Sequence, residues 1–180
     1  MMAKTSDETI MNRVKNGDLA ELSVLFERYH VKFYNFMLKL TFDRTASHDL
    51  TQDLFYRILK YRHTYREDKS FKSWAYQMAR NVHIDYCKQK QKLTDQFTDT
   101  EKYYADIAEE IEAYDQEEFD RLDKALSMLS PDQKEIIVLS RFQGLKCEEI
   151  SSINNQSVSS VKVQIHRAIK QLRQIYFELV

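Results

Sequence analysis

The first half of the chain places apolar side chains at helical spacing. Those between Leu19 and Leu40 fall on one face and predict a single amphipathic helix. A second helix is predicted to begin near Thr45 or Ser47, either of which can cap it, and to continue to about Tyr61. Its inward-facing side chains are expected to be Leu50, Leu54 and Ile58.

A third helix is predicted from about Ser70 to Lys90. The preceding stretch, residues 62–69, is polar and has no strand periodicity, so it is predicted to be a loop. On the third helix the inward side is expected to hold Phe71, Met78 and Val82. The opposite side is expected to display Lys72, Tyr76, Arg80 and His83.

The second half of the chain predicts a helix-turn-helix. A short helix ends before Ser130-Pro131, because proline disfavours helix in the residue before it. Pro131 suits the first turn of the next helix, which stops near Gly144. Two more helices follow, Cys147 to Ile153 and Ser157 to about Leu179, separated by Asn154-Asn155-Gln156.

Composition supports an all-helical chain. Its 180 residues include only two glycines and one proline, too few for the turns of a many-stranded sheet. A hydrophobic content of 43% is enough for packed cores. We therefore predict an all-α protein with two small helical domains, residues 1–92 and 121–180, joined by an acidic flexible linker, residues 93–120.

Charge is segregated along the chain although the formal net charge is only −1. Residues 94–120 hold eleven acidic side chains and one basic one, a local charge of −10, and the remainder carries +9. This layout is typical of two polyanion-binding modules joined by an acidic tether. A solvated, flexible connector explains the same segment and is compatible with the tether.

The sequence offers little for catalysis or metal binding. It has no glycine-rich phosphate loop and no HExxH motif, and Cys87 and Cys147 are too far apart for a CxxC metal site. His83 and Cys87 lack a third ligand. We expect no enzyme activity, no metal and no cofactor. Without a signal-like run in residues 1–12 or a membrane-length apolar stretch, we expect a soluble, cytoplasmic protein with no membrane insertion.

The last predicted helix is a candidate for DNA recognition. One narrow apolar stripe is formed by Val161, Ile165, Ala168, Leu172, Ile175 and Leu179. The other side and its flanks present Ser159, Lys162, Val163, His166, Arg167, Lys170 and Arg173. A short helix and turn before it, with Ser157 as N-cap, match the arrangement that places a recognition helix in the major groove. The alternative is an ordinary amphipathic helix with a basic, solvated face.

Residues 57–92 combine ten basic and three acidic side chains, a net charge of +7, with six aromatic rings. These rings are Tyr61, Tyr65, Phe71, Trp74, Tyr76 and Tyr86. Rings beside cations suit unpaired bases, because each base offers a face for stacking and a phosphate to neutralise. Core packing explains most of the area of Phe71 and Trp74. The stronger candidates for base contact are therefore Tyr61, Tyr65 and Tyr76.

The second predicted helix carries a compact acidic face. Its members, at positions i, i+3, i+4 and i+7, are Asp49, Gln52, Asp53 and Tyr56. DNA would repel this face, so it is predicted to bind a basic protein surface. The alternative is that the two carboxylates stabilise the N-terminus of the helix.

These segments, in this order, resemble the extracytoplasmic-function sigma factors of the bacterial sigma-70 family over nearly the whole chain. Residues 48–55, HDLTQDLF, are similar to the family segment that binds the clamp helices of the largest polymerase subunit. The resemblance implies that core polymerase is bound by Asp49, Gln52, Asp53 and Tyr56.

Residues 71–86, FKSWAYQMARNVHIDY, resemble the segment that recognises and melts the minus-ten promoter element. The loop of residues 61–69 corresponds to one that holds a flipped base in relatives, which is chemically consistent with the rings nearby. The implied minus-ten contacts are Tyr61, Arg62, Tyr65, Arg66, Lys72, Trp74, Tyr76, Arg80, Asn81 and Lys88.

Residues 149–173 resemble the segment that recognises the minus-thirty-five element. The implied contacts are Ser157, Ser159, Ser160, Lys162, Val163, Gln164, His166, Arg167 and Lys170. Asn155 replaces the usual turn glycine, and asparagine tolerates the left-handed conformation. Because Val163 and Gln164 are unusual at their positions, the preferred promoter sequence stays open.

The resemblance implies a sigma factor that directs promoter recognition, DNA melting and transcription initiation. Its expected partners are core polymerase, through the clamp helices and the β flap, and promoter DNA, both duplex and single-stranded; an anti-sigma factor is a candidate partner. The competing interpretation is a repressor or activator with a helical ligand or dimer domain. It explains the C-terminal half equally well but leaves the acidic face and the aromatic-basic segment without a function.

Overall fold

The computed structural model describes residues 5–96 and 113–179, and the regular elements of both ranges are helical. They are α1 (Asp7–Lys15), α2 (Leu22–Thr41), α3 (Arg44–Lys60), α4 (Phe71–Gln96), α5 (Ala113–Ser127), α6 (Pro131–Ile137), α7 (Cys147–Asn154) and α8 (Val158–Glu178). The described residues form two compact units, one from 5–38 and 43–96 and one from 39–42 and 113–179. The predicted all-α class with two helical domains is confirmed.

The helix α1 is an element that the hydrophobic pattern did not predict. Ser6 caps it, since its Oγ accepts a hydrogen bond from the backbone N–H of Thr9 at 3.2 Å. Three of its nine residues, Ile10, Met11 and Val14, are buried in the first unit. So short a helix shows too few apolar positions for a periodicity to stand out, and packing against the rest of the unit stabilises it.

The helices α2 and α3 differ from their predicted forms at their N-termini. The segment from Leu19 to Glu21 is a separate 3₁₀ turn before α2. The cap of α3 is Asp43, whose Oδ1 accepts from the backbone N–H of Ala46 at 2.9 Å, so the prediction of Thr45 or Ser47 as the cap was wrong. Several neighbouring residues there have capping side chains, and local sequence alone does not choose between them.

In the second unit, α6 begins at Pro131 as expected. Ser130 and Gln133 form a reciprocal capping box, and Pro131 occupies the first turn. The predicted continuous helix changes into a π turn over Val138–Phe142, in which the N–H of Gln143 donates to the carbonyl of Val138 at 2.9 Å. This turn precedes the helix-turn-helix formed by α7 and α8, which confirms the predicted layout.

The predicted linker, residues 93–120, overlaps helices at both ends. The helix α4 continues to Gln96, and α5 already begins at Ala113. Residues 97–112 lie outside the described residues. The flexibility of the linker and the domain boundaries at 92 and 121 stay predictions.

Candidate polymerase and nucleic-acid interfaces

The acidic face of α3 is open to solvent. Asp49 and Gln52 are exposed, and Tyr56 is 61% exposed. Because Asp43 provides the cap and α3 begins at Arg44, Asp49 lies beyond the first helical turn. A role in stabilising the N-terminus of the helix therefore does not account for it, since dipole effects fall off within that turn.

Asp53, on the same face, is paired within the protein. The Arg57 Nε donates to Asp53 Oδ2 at 2.9 Å, and the Arg57 Nη1 donates to Asp85 Oδ2 on α4 at 2.7 Å. The hydrogen bond to Asp85, together with the two negative charges, raises the pKa of Arg57. Arg57 thus joins the acidic face of α3 to α4. Arg57 was not among the predicted contacts, although its i, i+4 spacing from Asp53 is a signal for such a pair.

The prediction that Tyr76 is displayed among cations was wrong. Tyr76 is completely buried, with its ring 5.0 Å from that of Phe33 and 5.5 Å from that of Phe36. The two alanines Ala75 and Ala79 are buried beside it on α4. The buried side of α4 is therefore wider than the predicted stripe of Phe71, Met78 and Val82. Rings of α2 pack against α4 in addition to α3.

The ring of Tyr65 is also fully buried, contrary to its selection as a base-contacting residue. Its hydroxyl donates to the backbone carbonyl of Lys69 at 2.8 Å, and its ring lies 5.4 Å from Trp74 in an edge-to-face arrangement. Burial raises the pKa of Tyr65 to about 12. Tyr65 anchors the loop before α4 from inside instead of facing DNA.

Helix α1 braces the same loop from the other side. The Lys15 Nζ donates to the backbone carbonyl of Tyr65 at 2.8 Å, and the Glu8 Oε1 accepts from the backbone N–H of Phe71 at 3.2 Å. Each end of the loop is thus held by a charged side chain of α1. The structure in this way fixes the position of residues 65–71 at the N-terminus of α4.

A pocket of about 240 Å³ opens between the end of α3, the loop and α4. It is lined by Arg57, Tyr61, Thr64, Trp74, Gln77, Met78 and Asn81. Tyr61 is 45% exposed and Trp74 is half-buried, so both rings offer surface to the pocket. Of the three tyrosines proposed to contact bases, only Tyr61 reaches this pocket.

The cations predicted to contact the minus-ten element are in different environments. Arg66 is exposed, but its Nε and Nη2 donate to the two carboxylate oxygens of Asp68 at 2.9 and 3.0 Å, and this pairing lowers the pKa of Asp68. Arg62 is half-buried and donates to the carbonyl of Leu59 at 2.9 Å. On α4, Lys72 and Arg80 are half-buried, whereas Asn81 and Lys88 are exposed.

The turn between α7 and α8 has the expected chemistry. Asn155 adopts the left-handed conformation, with φ 51° and ψ 46°. Ser157 caps α8, because its Oγ accepts from the backbone N–H of Ser160 at 3.2 Å. Both features confirm what the sequence indicated and set the start of α8.

The two sides of α8 separate as the sequence analysis expected. The apolar stripe is buried or half-buried throughout: Val161, Ile165, Ala168, Leu172, Ile175 and Leu179. The polar side is exposed at Ser159, Lys162, Val163, His166, Arg167, Lys170 and Arg173. Ser160 and Gln164 are half-buried, and the Gln164 Nε2 donates a hydrogen bond to the Ser160 Oγ at 3.3 Å.

Within the described part of the chain, no three histidine, cysteine or acidic side chains come together as metal ligands. The His83 Nε2 and Cys87 Sγ lie 3.5 Å apart on α4. None of the described helices is both long and apolar enough to cross a bilayer.

Two family models match the chain. Residues 25–93 match the model described as Sigma-70 region 2, which covers α3 and most of α2 and α4. Residues 119–172 match the model described as Sigma-70, region 4, a range that contains α6, α7 and most of α8.

Curated relatives match along most of their length. The chain is 28% identical to the ECF RNA polymerase sigma factor SigX of Bacillus subtilis, over 83% of this chain and 80% of that protein. It is 29% identical to SigM of the same organism, over 84% and 93%, and 25% identical to the RNA polymerase sigma factor CarQ of Myxococcus xanthus, over 94% and 97%.

Solved structures share the fold. CnrH in complex with the cytosolic domain of CnrY matches with a TM-score of 0.73 and 20% identity, over 95% of this chain and 97% of that chain. The sigma factor RpoE of Bartonella quintana, in complex with the anti-sigma factor NepR, matches with a TM-score of 0.67 and 19% identity, over 85% and 94%.

Proposed function

Since this chain belongs to the sigma-70 family, as an extracytoplasmic-function sigma factor that serves promoter recognition and transcription initiation, we propose that its two units divide this work. The first unit binds core polymerase and opens the minus-ten element. The second unit recognises the minus-thirty-five duplex. The partners of the chain are RNA polymerase and promoter DNA.

One observation carries this division: the acidic face of α3 and the pocket beside Tyr61 and Trp74 belong to the same unit. An acidic face repels DNA and suits a basic protein surface, whereas a ring-lined pocket suits an unpaired base. A repressor or activator that only binds duplex DNA uses neither surface. A sigma factor needs both in one domain, because polymerase must be held where the strands separate.

For polymerase binding, Asp49, Gln52 and Tyr56 are the proposed contacts with the clamp helices, because they are exposed on one face of α3. Asp53 belongs to the same face but already pairs with Arg57. A basic residue of the polymerase that binds Asp53 therefore competes with Arg57. We therefore expect Asp49 to contribute more than Asp53 to the attraction of the partner. A second polymerase contact, between the C-terminal unit and the β flap, stays a prediction.

For strand opening, unpaired bases must be bound more favourably than paired ones. Extruding a base costs a few kcal/mol, and stacking on an aromatic ring contributes about 1–3 kcal/mol per base. Tyr61 and Trp74 supply that stacking surface, and Asn81 supplies an amide that can bond the edge of a base. We propose that one flipped base of the minus-ten element enters this pocket.

For duplex recognition, α8 presents an exposed row of basic side chains behind the turn at Asn155. Lys162, His166, Arg167 and Lys170 are the proposed contacts, and acidic residues are absent from this side of the described helix until Glu178. The N-terminal residues of a recognition helix contact base edges, while outer cations neutralise phosphates. The same placement supports the proposed roles of Ser159 and Val163.

We propose further that an anti-sigma factor controls this chain. Two proteins of the same fold are seen with protein partners, the cytosolic domain of CnrY and the anti-sigma factor NepR. The test is to purify the chain from its host, identify the bound protein and add it to the core-binding assay. A bound protein that leaves core binding unchanged contradicts this control.

As a sigma factor the chain is a regulatory protein, and we propose no catalytic step and no cofactor for it. We place it in the cytoplasm, where bacterial polymerase works. The decisive experiment is run-off transcription with purified core polymerase on a genomic library, with core alone as control. Initiation from a defined set of promoters is expected. A chain that neither co-purifies with core polymerase nor changes its start sites overturns the proposal.

A further inference from the structure

Val163 is an apolar side chain at the centre of the basic side of α8. Its side chain is 47% exposed, and the basic residues beside it on this side of the helix are exposed as well. At about 100° per residue, Val163 lies between His166 on one side and Arg167 on the other. The position belongs to the N-terminal half of α8, which is the half of a recognition helix that approaches base edges.

Several hydrogen-bonding groups near Val163 already have partners within the helix. The Ser159 Oγ lies 3.0 Å from the Oγ of Ser157, which also accepts from a backbone N–H. Gln164 donates to the Ser160 Oγ at 3.3 Å. Bases in contact with this part of the helix therefore meet fewer free hydroxyl and amide groups than the sequence suggests. Val163 is exposed among these partnered side chains.

We propose that Val163 contacts the C5-methyl group of a thymine in the major groove and so makes a thymine a determinant of minus-thirty-five recognition. A valine side chain has no donor or acceptor, so it distinguishes bases by shape and apolar contact alone. In the major groove only thymine carries a methyl group. The inference rests on the proposed function of α8 as the duplex-binding helix.

The test begins with a binding selection. Holoenzyme formed from the full chain and purified core selects from duplexes with a randomised upstream segment and a mismatched, already open minus-ten region. The open region keeps strand melting out of the measurement. At least one position of the selected upstream segment is expected to be occupied by thymine. A selected upstream sequence with no thymine requirement in either strand overturns the inference.

The second step is a double-mutant cycle between Val163 and the thymine methyl group. Replacing that thymine with deoxyuridine, which lacks only the methyl group, is expected to weaken binding by wild-type holoenzyme about four-fold. This is the change in the dissociation constant that corresponds to burying one methyl group. Holoenzyme with Val163→Ala is expected to bind the two duplexes equally. Since Val163 is exposed and alanine favours helix, the variant is expected to fold normally.

The failures are distinguishable. If Val163→Ala keeps the full preference for thymine over deoxyuridine, another residue contacts the methyl group and this inference is wrong while α8 remains the duplex-binding helix. If the selection returns no upstream sequence preference and Arg167→Ala leaves binding unchanged, the proposed function of α8 fails as well. A deoxyuridine effect that appears equally at thymines throughout the duplex also contradicts a specific contact.

Discussion

The helices α4 and α8 both combine an apolar stripe with basic residues, yet they use their surfaces differently. On α4 the buried set includes Tyr76 as well as Phe71, because rings of α2 cover it from a second side. On α8 the buried set is one narrow stripe, and the basic side is exposed. Both sequences are basic, but Lys72 and Arg80 of α4 are half-buried, whereas Lys162, Arg167 and Lys170 of α8 are exposed.

This difference fits the two forms of DNA that the units are proposed to bind. A duplex presents a groove that receives a convex helix, so an exposed face such as that of α8 is sufficient. An unpaired base must be enclosed and stacked, so the first unit needs rings held around a cavity. The buried ring of Tyr65 contacts Trp74, which lines the pocket, and so helps to hold Trp74 in position.

The largest expected effect tests whether Tyr76 belongs to the core. Tyr76→Ala is expected to lower the free energy of unfolding of the first unit by about 3–5 kcal/mol, because a buried ring is removed from between others. Urea unfolding followed by circular dichroism measures it, and Tyr76→Phe is the matched control that keeps the ring. An alanine variant that folds normally but fails to open promoters would show that Tyr76 does face DNA.

The second prediction concerns the acidic face of α3. Asp49→Lys is expected to weaken core polymerase binding roughly a hundred-fold or more, since a like charge then faces the basic partner. A binding titration with purified core measures the change. The control, Glu178→Lys, makes the same charge reversal at an exposed site at the end of α8. Equal binding by both variants would contradict the assignment of this face.

The third prediction concerns the pocket. Tyr61→Ala is expected to slow open-complex formation by about ten-fold, from the loss of one stacking contact. Permanganate reactivity of minus-ten thymines measures opening, and Tyr61→Phe is expected to open normally because the ring remains. A promoter with a mismatched, premelted bubble should restore most of the lost activity. Normal opening by the alanine variant would remove Tyr61 from the base-binding site.

The smallest expected effect separates phosphate contacts from base contacts on α8. Arg167→Ala is expected to reduce the salt dependence of duplex binding by about one unit of slope, as for the loss of one phosphate contact. Arg173→Ala, farther along the same helix, is expected to change the slope less. A loss for Arg167→Ala that depends on the base pair, with the slope unchanged, would instead assign Arg167 to base recognition.

The comparison also explains which features sequence reasoning could predict. The stripe and cap of α8 follow from residues close together in the chain, and both were predicted correctly. The burial of Tyr76 depends on Phe33 and Phe36, some forty positions earlier, and no local pattern reports that contact. The pocket combines side chains of α3, the loop and α4, so its members were found only in part.

The same reasoning applies to α1. Its three buried side chains, Ile10, Met11 and Val14, lie at positions i, i+1 and i+4, which are too few for a helical period to stand out. Its contacts with a distant loop come from the charged residues Lys15 and Glu8. Such single charged contacts leave no periodic signal. The family resemblance contributed the functional assignment of the segments, whereas the structure decided which of their residues are accessible.

The brace formed by α1 has a consequence for synthesis on the ribosome. Helix α1 is translated before Tyr65 and Phe71, which Lys15 and Glu8 bind and which follow some fifty to sixty residues later. At about 5–20 residues per second, α1 waits on the order of seconds for its partners. A nine-residue helix is marginal alone in water. Nascent chains therefore expose Ile10, Met11 and Val14 to chaperones and proteases until α4 has emerged.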